Sequence, residues 1–341
     1  MSEPEPPLPA ARGALSGAVW DALLGGRPPH PLPSPPALDG HDPSGDALQR
    51  PPSPRYALHS RGFEGVRPHR EWDPDLLALR RLLEDRFLSA LRTDVPPHPD
   101  AGQALDGLLA EPTGHDTTGV SHHLQRDGEL WQFREYAAVR SLYHLKEADP
   151  HAWVIPRLRG RAKAGMVAVE FDEFGAGRAD EIHARLFADL MRDLGLNTDY
   201  GHYLEATPAE ALATVNLMSL FGLHRALRGA LVGHFATVEV TSSPGSRRLA
   251  TALRRLGAGA AAQRFYDEHV EADAVHEQVV RHEVVGGLLA DEPYLEADIA
   301  FGVHATGFLE DRLAAHLIGA WRQGQSALRV PLNDETTLSP R

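Results

Sequence analysis

From Asp73 onward, apolar residues recur at helical spacing almost without interruption, and strand-like alternation is confined to Val238–Val240, a pattern that leaves room only for a helical fold. Leu76, Leu77, Leu79, Leu82, Leu83, Phe87 and Leu91 follow Asp73, an N-cap residue type, and Pro74, which is tolerated in a first turn. Further helices are predicted over about 127–148, 156–190, 208–240, 247–285 and 293–323. Their breaks fall at Asp149-Pro150, Thr207-Pro208, Ser242-Ser243-Pro244-Gly245 and Glu292-Pro293. The fold class is therefore all-α, a multi-helix bundle of long antiparallel helices in one domain over residues 61–330. The 42% apolar content is enough for a single large core.

Fourteen of the 27 prolines fall within residues 1–55, which predicts an extended, disordered arm over 1–60; a flexible tail is expected over 331–341. The chain has no cysteine, so disulfides, thiolate-bound zinc, iron–sulfur clusters and thiol nucleophiles are excluded, and any metal must use nitrogen and oxygen donors. A net charge of −13 argues against nucleic acid and anionic membrane as partners. No apolar run reaches the length of a membrane span. Met1 to Arg12 is acidic and proline-rich and lacks the pattern of a secretory signal, so a cytoplasmic location is expected.

The chemistry is concentrated in one helix. His269, Asp273 and His276 stand at i, i+4 and i+7 and share a face, an N/O donor set suited to iron, manganese or zinc. Asp180 and His183 repeat the Asp-x2-His spacing, and such duplication is how a four-helix dinuclear centre is built, with one further carboxylate from each of two other helices. Glu147, near a helix end, and Glu239, inside an apolar run, supply those carboxylates. In the second element the choice lies between Asp180 and Glu173. Ten residues before His183, Glu173 faces elsewhere on a straight helix, but a bulge at Gly175 and Gly177 would turn both inward. The expected partition puts Glu147 and His183 on one metal and His269 and His276 on the other, with Glu239, Asp273 and whichever of Glu173 and Asp180 turns inward bridging or terminal. Glu268 and Glu277 are read either as acceptors for the outer imidazole nitrogens or as solvated surface residues. Arg228 is read either as a clamp for a substrate carboxylate or as half of an internal ion pair, and Tyr266 either as a substrate-facing hydroxyl or as a packed aromatic.

These motifs, Lys146-Glu147-Ala148-Asp149-Pro150-His151, Asp172-Glu173-Phe174-Gly175-x-Gly177 with the later His183, Glu239, and His269-x3-Asp273-x2-His276, resemble those of the iron-containing redox enzymes of the haem-oxygenase-like di-iron oxidase superfamily. The resemblance covers about 125–325. It implies a haem-oxygenase-like bundle of about seven core helices that holds two non-haem Fe(II)/Fe(III) ions in place of haem and uses O2 as co-substrate. It also implies that Glu147, Glu173, His183, Glu239, His269, Asp273 and His276 are the metal ligands and catalytic residues, with Asp180 a conditional ligand. The activity implied is oxidation of a small organic substrate: N-oxygenation, or oxidative C–C cleavage of an amino-acid- or fatty-acid-like molecule. An external electron donor and a homodimer are candidate partners. The competing readings are a haem-binding or haem-degrading protein on the same fold, and a helical iron-binding protein without turnover.

Overall fold

A computed structural model describes residues 5–11, 14–25, 42–43, 45–98, 100–109 and 118–332. Among them the chain is helical and no strand occurs, as the apolar spacing predicts. The principal helices are α1 (Ala14–Leu23), α2 (Pro74–Asp94), α3 (Leu130–His144), α4 (Gly160–Glu173), α5 (His183–Asp193), α6 (Ala209–Leu223), α7 (Arg228–Leu256), α8 (Ala260–Val279) and α9 (Glu296–Trp321). The Asp73 side chain accepts from the amides of Asp75 and Leu76, and Pro74 opens α2, so this helix begins where expected.

Helix α7 is the axis of the bundle and packs against α8 on one side and α9 on the other. Contact with α9 is backbone to backbone. A Cβ added at Gly233 would lie 2.0 Å from the Ile299 carbonyl oxygen, and one at Gly302 would lie 2.1 Å from that of Ala230. Two apolar clusters result. One gathers Met166, Phe221, Phe235, Val280 and Ile299 among others; the second gathers Phe133, Phe187, Leu253, Phe265 and Trp321. Helix α8 contributes Phe265 and Tyr266 to the second cluster, while the π-helical turn that follows it contributes Val280 and Val284 to the first. The polar face of α8 therefore lies along the seam between two dry cores.

Five features differ from the sequence expectation. Two predicted helices are each broken, 208–240 at His224 between α6 and α7, and 247–285 at Gly257–Gly259 between α7 and α8. The Ser242-Ser243-Pro244-Gly245 break does not occur, because α7 continues through Pro244. A proline costs an interior hydrogen bond, but packing against α8 holds this stretch helical, with Ser243 Oγ donating to the Val270 carbonyl at 3.1 Å. The 156–190 helix is two helices, α4 and α5, that meet at a sharp turn. In the N-terminal arm, the described part of residues 1–60 is partly helical, with 5–11 irregular. Ala14–Leu23, Asp46–Gln49 and Pro52–Ala57 are helical, and Val19, Trp20, Leu23, Leu48 and Ala57 are buried with Phe63, Leu76, Leu79 and Leu83. The physical reason is local: Ala14–Leu23 holds no proline and carries its own apolar face, and Pro52 falls in a first helical turn. Residues 1–4, 12–13, 26–41 and 44 of that arm, and 333–341 of the expected tail, lie outside the described residues. No helix is long and apolar enough to cross a membrane among the described residues.

Candidate metal centre

All seven donors expected from the sequence are buried, and they converge. Glu147 lies in the turn after α3, immediately before Ala148, whose φ of 72° is a strained conformation for a residue with a side chain and breaks the chain direction there. Glu173 is the last residue of α4 and His183 the first of α5. The turn between them runs through Gly175, Ala176 and Gly177, all at positive φ. A Cβ at Gly175 would come within 2.7 Å of the Ile182 nitrogen, so only glycine closes this turn. The reversal brings Glu173 Oε2 to 2.8 Å from His183 Nδ1. Glu239 comes from the middle of α7, and His269, Asp273 and His276 from one face of α8.

One donor atom from each of Glu147, Glu173, His183 and His269 lies within 4.8 Å of the others, and the same holds for Glu173, Glu239, Asp273 and His276. Glu173 belongs to both groups. His276 Nδ1 is 3.1 Å from Glu239 Oε2, 3.4 Å from Asp273 Oδ1 and 3.5 Å from Glu173 Oε1; His269 Nε2 is 3.8 Å from Glu147 Oε2. The grouping corrects the expected partition, since His269 joins Glu147 and His183 instead of His276. The reason is axial rise: seven helical residues separate the two imidazoles by about 10 Å, too far to serve one ion. A void of about 10 Å³, enough for a water-sized occupant, is bordered by Glu147, Glu173, Glu239, His269 and Asp273.

Three donor atoms on residues that border this void, Glu147 Oε2, His269 Nε2 and Asp273 Oδ2, are buried without a hydrogen-bond partner. Leaving buried polar atoms unpaired costs about 1–3 kcal/mol each, and a cation would compensate all three. The titration pattern is that of a site balanced by protons. Burial opposes charge on each histidine, yet the neighbouring carboxylates overcome it: Glu147 and Asp273 hold His269 up at about 10, and Asp273 and Glu239 hold His276 up at about 11. His183 is raised by Glu173. Burial pushes Glu239 up to about 8, whereas His144 and His269 hold Glu147 well below the usual carboxylate range against its own burial. Four carboxylates would neutralise two divalent cations, with neutral imidazoles completing the donor set. The residues fit iron.

The outer imidazole nitrogens find partners other than Glu268 and Glu277. His269 Nδ1 donates to the Phe265 carbonyl at 2.7 Å, and His276 Nε2 donates to Asp172 Oδ2 at 2.9 Å. Glu268 is exposed, and Glu277 faces Arg281. Asp172 adjoins Glu173 on α4, and only the approach of α4 to α8 brings it to His276. Replacing Asp172 by alanine is expected to weaken metal binding by about 10–100-fold. Competition against a chelator measures this, and unchanged affinity would remove Asp172 from the assembly.

The remaining sequence candidates separate. Asp180 is exposed in the α4–α5 turn and is not among the converging donors. Arg228 pairs with Glu292 and donates to the Tyr294 hydroxyl at 2.8 Å, so its guanidinium is occupied far along α7 from Glu239. Tyr266 is buried with an unpartnered hydroxyl on the wall of a cavity of about 410 Å³. That cavity reaches His269 past Tyr143, Val238 and Ser242, and its wall includes Arg140 held by Glu310. A larger cavity of about 740 Å³ lies against residues 5–10 and contains none of the seven donors. The sequence did not single out Glu170, one turn before Glu173. Its carboxyl is buried with neither oxygen partnered, and burial together with Glu173 pushes it up to about 9.

A family model described as iron-containing redox enzyme matches residues 134–310, a span that contains all seven donors. The bundle is of the haem-oxygenase type. The chain is also similar to a nitrosourea synthase of Streptomyces achromogenes subsp. streptozoticus, with 25% identity over 145 residues. The match covers 42% of this chain and 31% of that protein, so it spans less than a third of the relative's length.

Proposed function

The chain belongs to the iron-containing redox enzyme family, and from that premise we propose that it is an O2-dependent oxidase or oxygenase that holds two non-haem irons and oxidises a small organic substrate at nitrogen. The observation that carries this reading is the double group of buried donors sharing Glu173. Glu147, Glu173, His183 and His269 would hold one ion, and Glu173, Glu239, Asp273 and His276 the other. Bound iron supplies the electrons and the Lewis acidity that O2 reduction requires. The protein contributes placement and exclusion of water. The two apolar clusters keep the donors dry, Asp172 and the Phe265 carbonyl fix the imidazole rings, and the hard carboxylate oxygens favour the more highly charged state of the metal. The cavity beside His269 is large enough for a small molecule, and its wall is mostly apolar with a few hydroxyl and charged groups, which suits a small amphipathic organic substrate. Oxidation at nitrogen, in preference to C–C cleavage, is supported by the likeness to a nitrosourea synthase.

The test is an anaerobic Fe(II) titration with metal counted per chain, followed by exposure to ¹⁸O2 with a panel of amines, amidines and ureas. About two irons per chain and a substrate gaining labelled oxygen are expected. Absence of specific iron binding would overturn the reading, and iron binding with no substrate-dependent O2 consumption would make the chain an iron-binding protein without turnover.

A further inference from the structure

We infer that His144 is a positioning residue for the metal centre: it holds Glu147 by one carboxylate oxygen and so directs the other toward the ion. The inference rests on the reading of Glu147 as a metal ligand. His144 is the last residue of α3, and its Nδ1 lies 2.9 Å from Glu147 Oε1. The second oxygen, Oε2, is buried without a hydrogen-bond partner and faces His269 Nε2 at 3.8 Å, in the group that also contains Glu173 and His183. One oxygen is therefore tied to the protein and the other is left for a ligand. The ring is itself fixed, since it lies 4.6 Å from the Phe187 ring and 5.2 Å from the Phe265 ring, centroid to centroid. Phe265 also supplies the carbonyl that orients His269, so one aromatic cluster sets two donors of the same group.

The arrangement answers a difficulty in the local backbone. Glu147 is not on a helix but in the turn before Ala148, where the backbone does not by itself fix a side chain as it does for Glu173, Glu239 or the α8 donors. A hydrogen bond from a packed imidazole supplies what the missing helix would. The same imidazole borders the 410 Å³ cavity, so the group that holds Glu147 also meets whatever occupies that space.

Co(II), added under argon to wild type, His144→Phe and His144→Asn, tests this. Its visible spectrum reports donor geometry without O2 chemistry. Phenylalanine keeps the ring packing and removes the hydrogen bond; asparagine restores a donor near the Nδ1 position. Two ions per chain are expected in wild type. In His144→Phe one should bind about 10–100-fold more weakly with an altered spectrum, the range typical of lost partners to a ligating side chain, and His144→Asn should recover most of the affinity. Circular dichroism of the metal-free variants checks that each is folded. Equal titrations for wild type and His144→Phe overturn the positioning role while leaving the dinuclear reading intact. Loss confined to His144→Asn assigns His144 to packing and overturns it equally. Failure of wild type to bind Co(II) overturns both readings.

Discussion

Replacing Glu173 by alanine is expected to empty both metal positions at once, taking the protein from two ions per chain to none, whereas Glu147→Ala and Glu239→Ala each lose one. Glu173 is the carboxylate common to the two donor groups. Its Oε2 faces His183 and its Oε1 faces His276, so its two oxygens already address the two halves of the site. Removing it leaves three donors on each side and deletes the charge between two like-charged ions. Without a bridging anion, two divalent cations in a dry site repel with little screening. Metal counted per chain after anaerobic loading and desalting reads the outcome, with circular dichroism to check the fold. A Glu173→Ala protein that keeps one tightly bound ion would mean the two groups are independent sites.

Metal removal is the second large effect, and its size should depend on pH. An ion present at about 1,000 times its dissociation constant stabilises the folded state by about 4 kcal/mol, which for a chain of this size corresponds to a Tm difference on the order of 10 °C. Without metal, the site relies on protons. His269 and His276 are raised from 6.5 to about 10 and about 11, and Glu239 from 4.5 to about 8. A folded-state value raised above the unfolded one contributes stability that is fully present below the unfolded value and is lost as pH rises through the folded one. The metal-free protein should therefore lose stability as pH rises, from about pH 4.5 through Glu239 and from about pH 6.5 through the two histidines. Metal ions compete with those same protons, so the loaded protein gains as pH rises. The gap in Tm between loaded and metal-free protein should widen from pH 6 to pH 9. Calorimetry across that range measures it, and a constant or narrowing gap would show that the histidines are not the groups exchanging protons for metal.

Much of the site was legible because helical periodicity converts sequence spacing into shared faces. His269, Asp273 and His276 could be placed together from the chain alone, and Glu239 stood out as a carboxylate in an apolar run. Glu173 was legible only in part. Its pairing with His183 needs a full reversal at Gly175–Gly177, and two glycines in a sequence admit a bulge, a kink or a turn equally. Asp172 was not legible. It neighbours Glu173 by one residue, which on a helix points the two side chains about 100° apart, and it reaches His276 only because α8 crosses there. The helical part of the N-terminal arm was hidden by composition, since prolines on either side of Ala14–Leu23 dominate any average taken over the segment.

What the sequence determined by itself is the all-α class, the N/O chemistry of any metal, the shared face of His269, Asp273 and His276 and the candidacy of Glu147 and Glu239, because each depends on residue type and on short-range periodicity. The grouping of those donors, the sharing of Glu173, the partners Asp172 and His144, the helical passage through Pro244 and the cavity beside His269 were decided by tertiary structure. Each of these depends on where one helix meets another, and that is set by the packing of two apolar cores against α7 and α8, to which residues far apart in the chain contribute together.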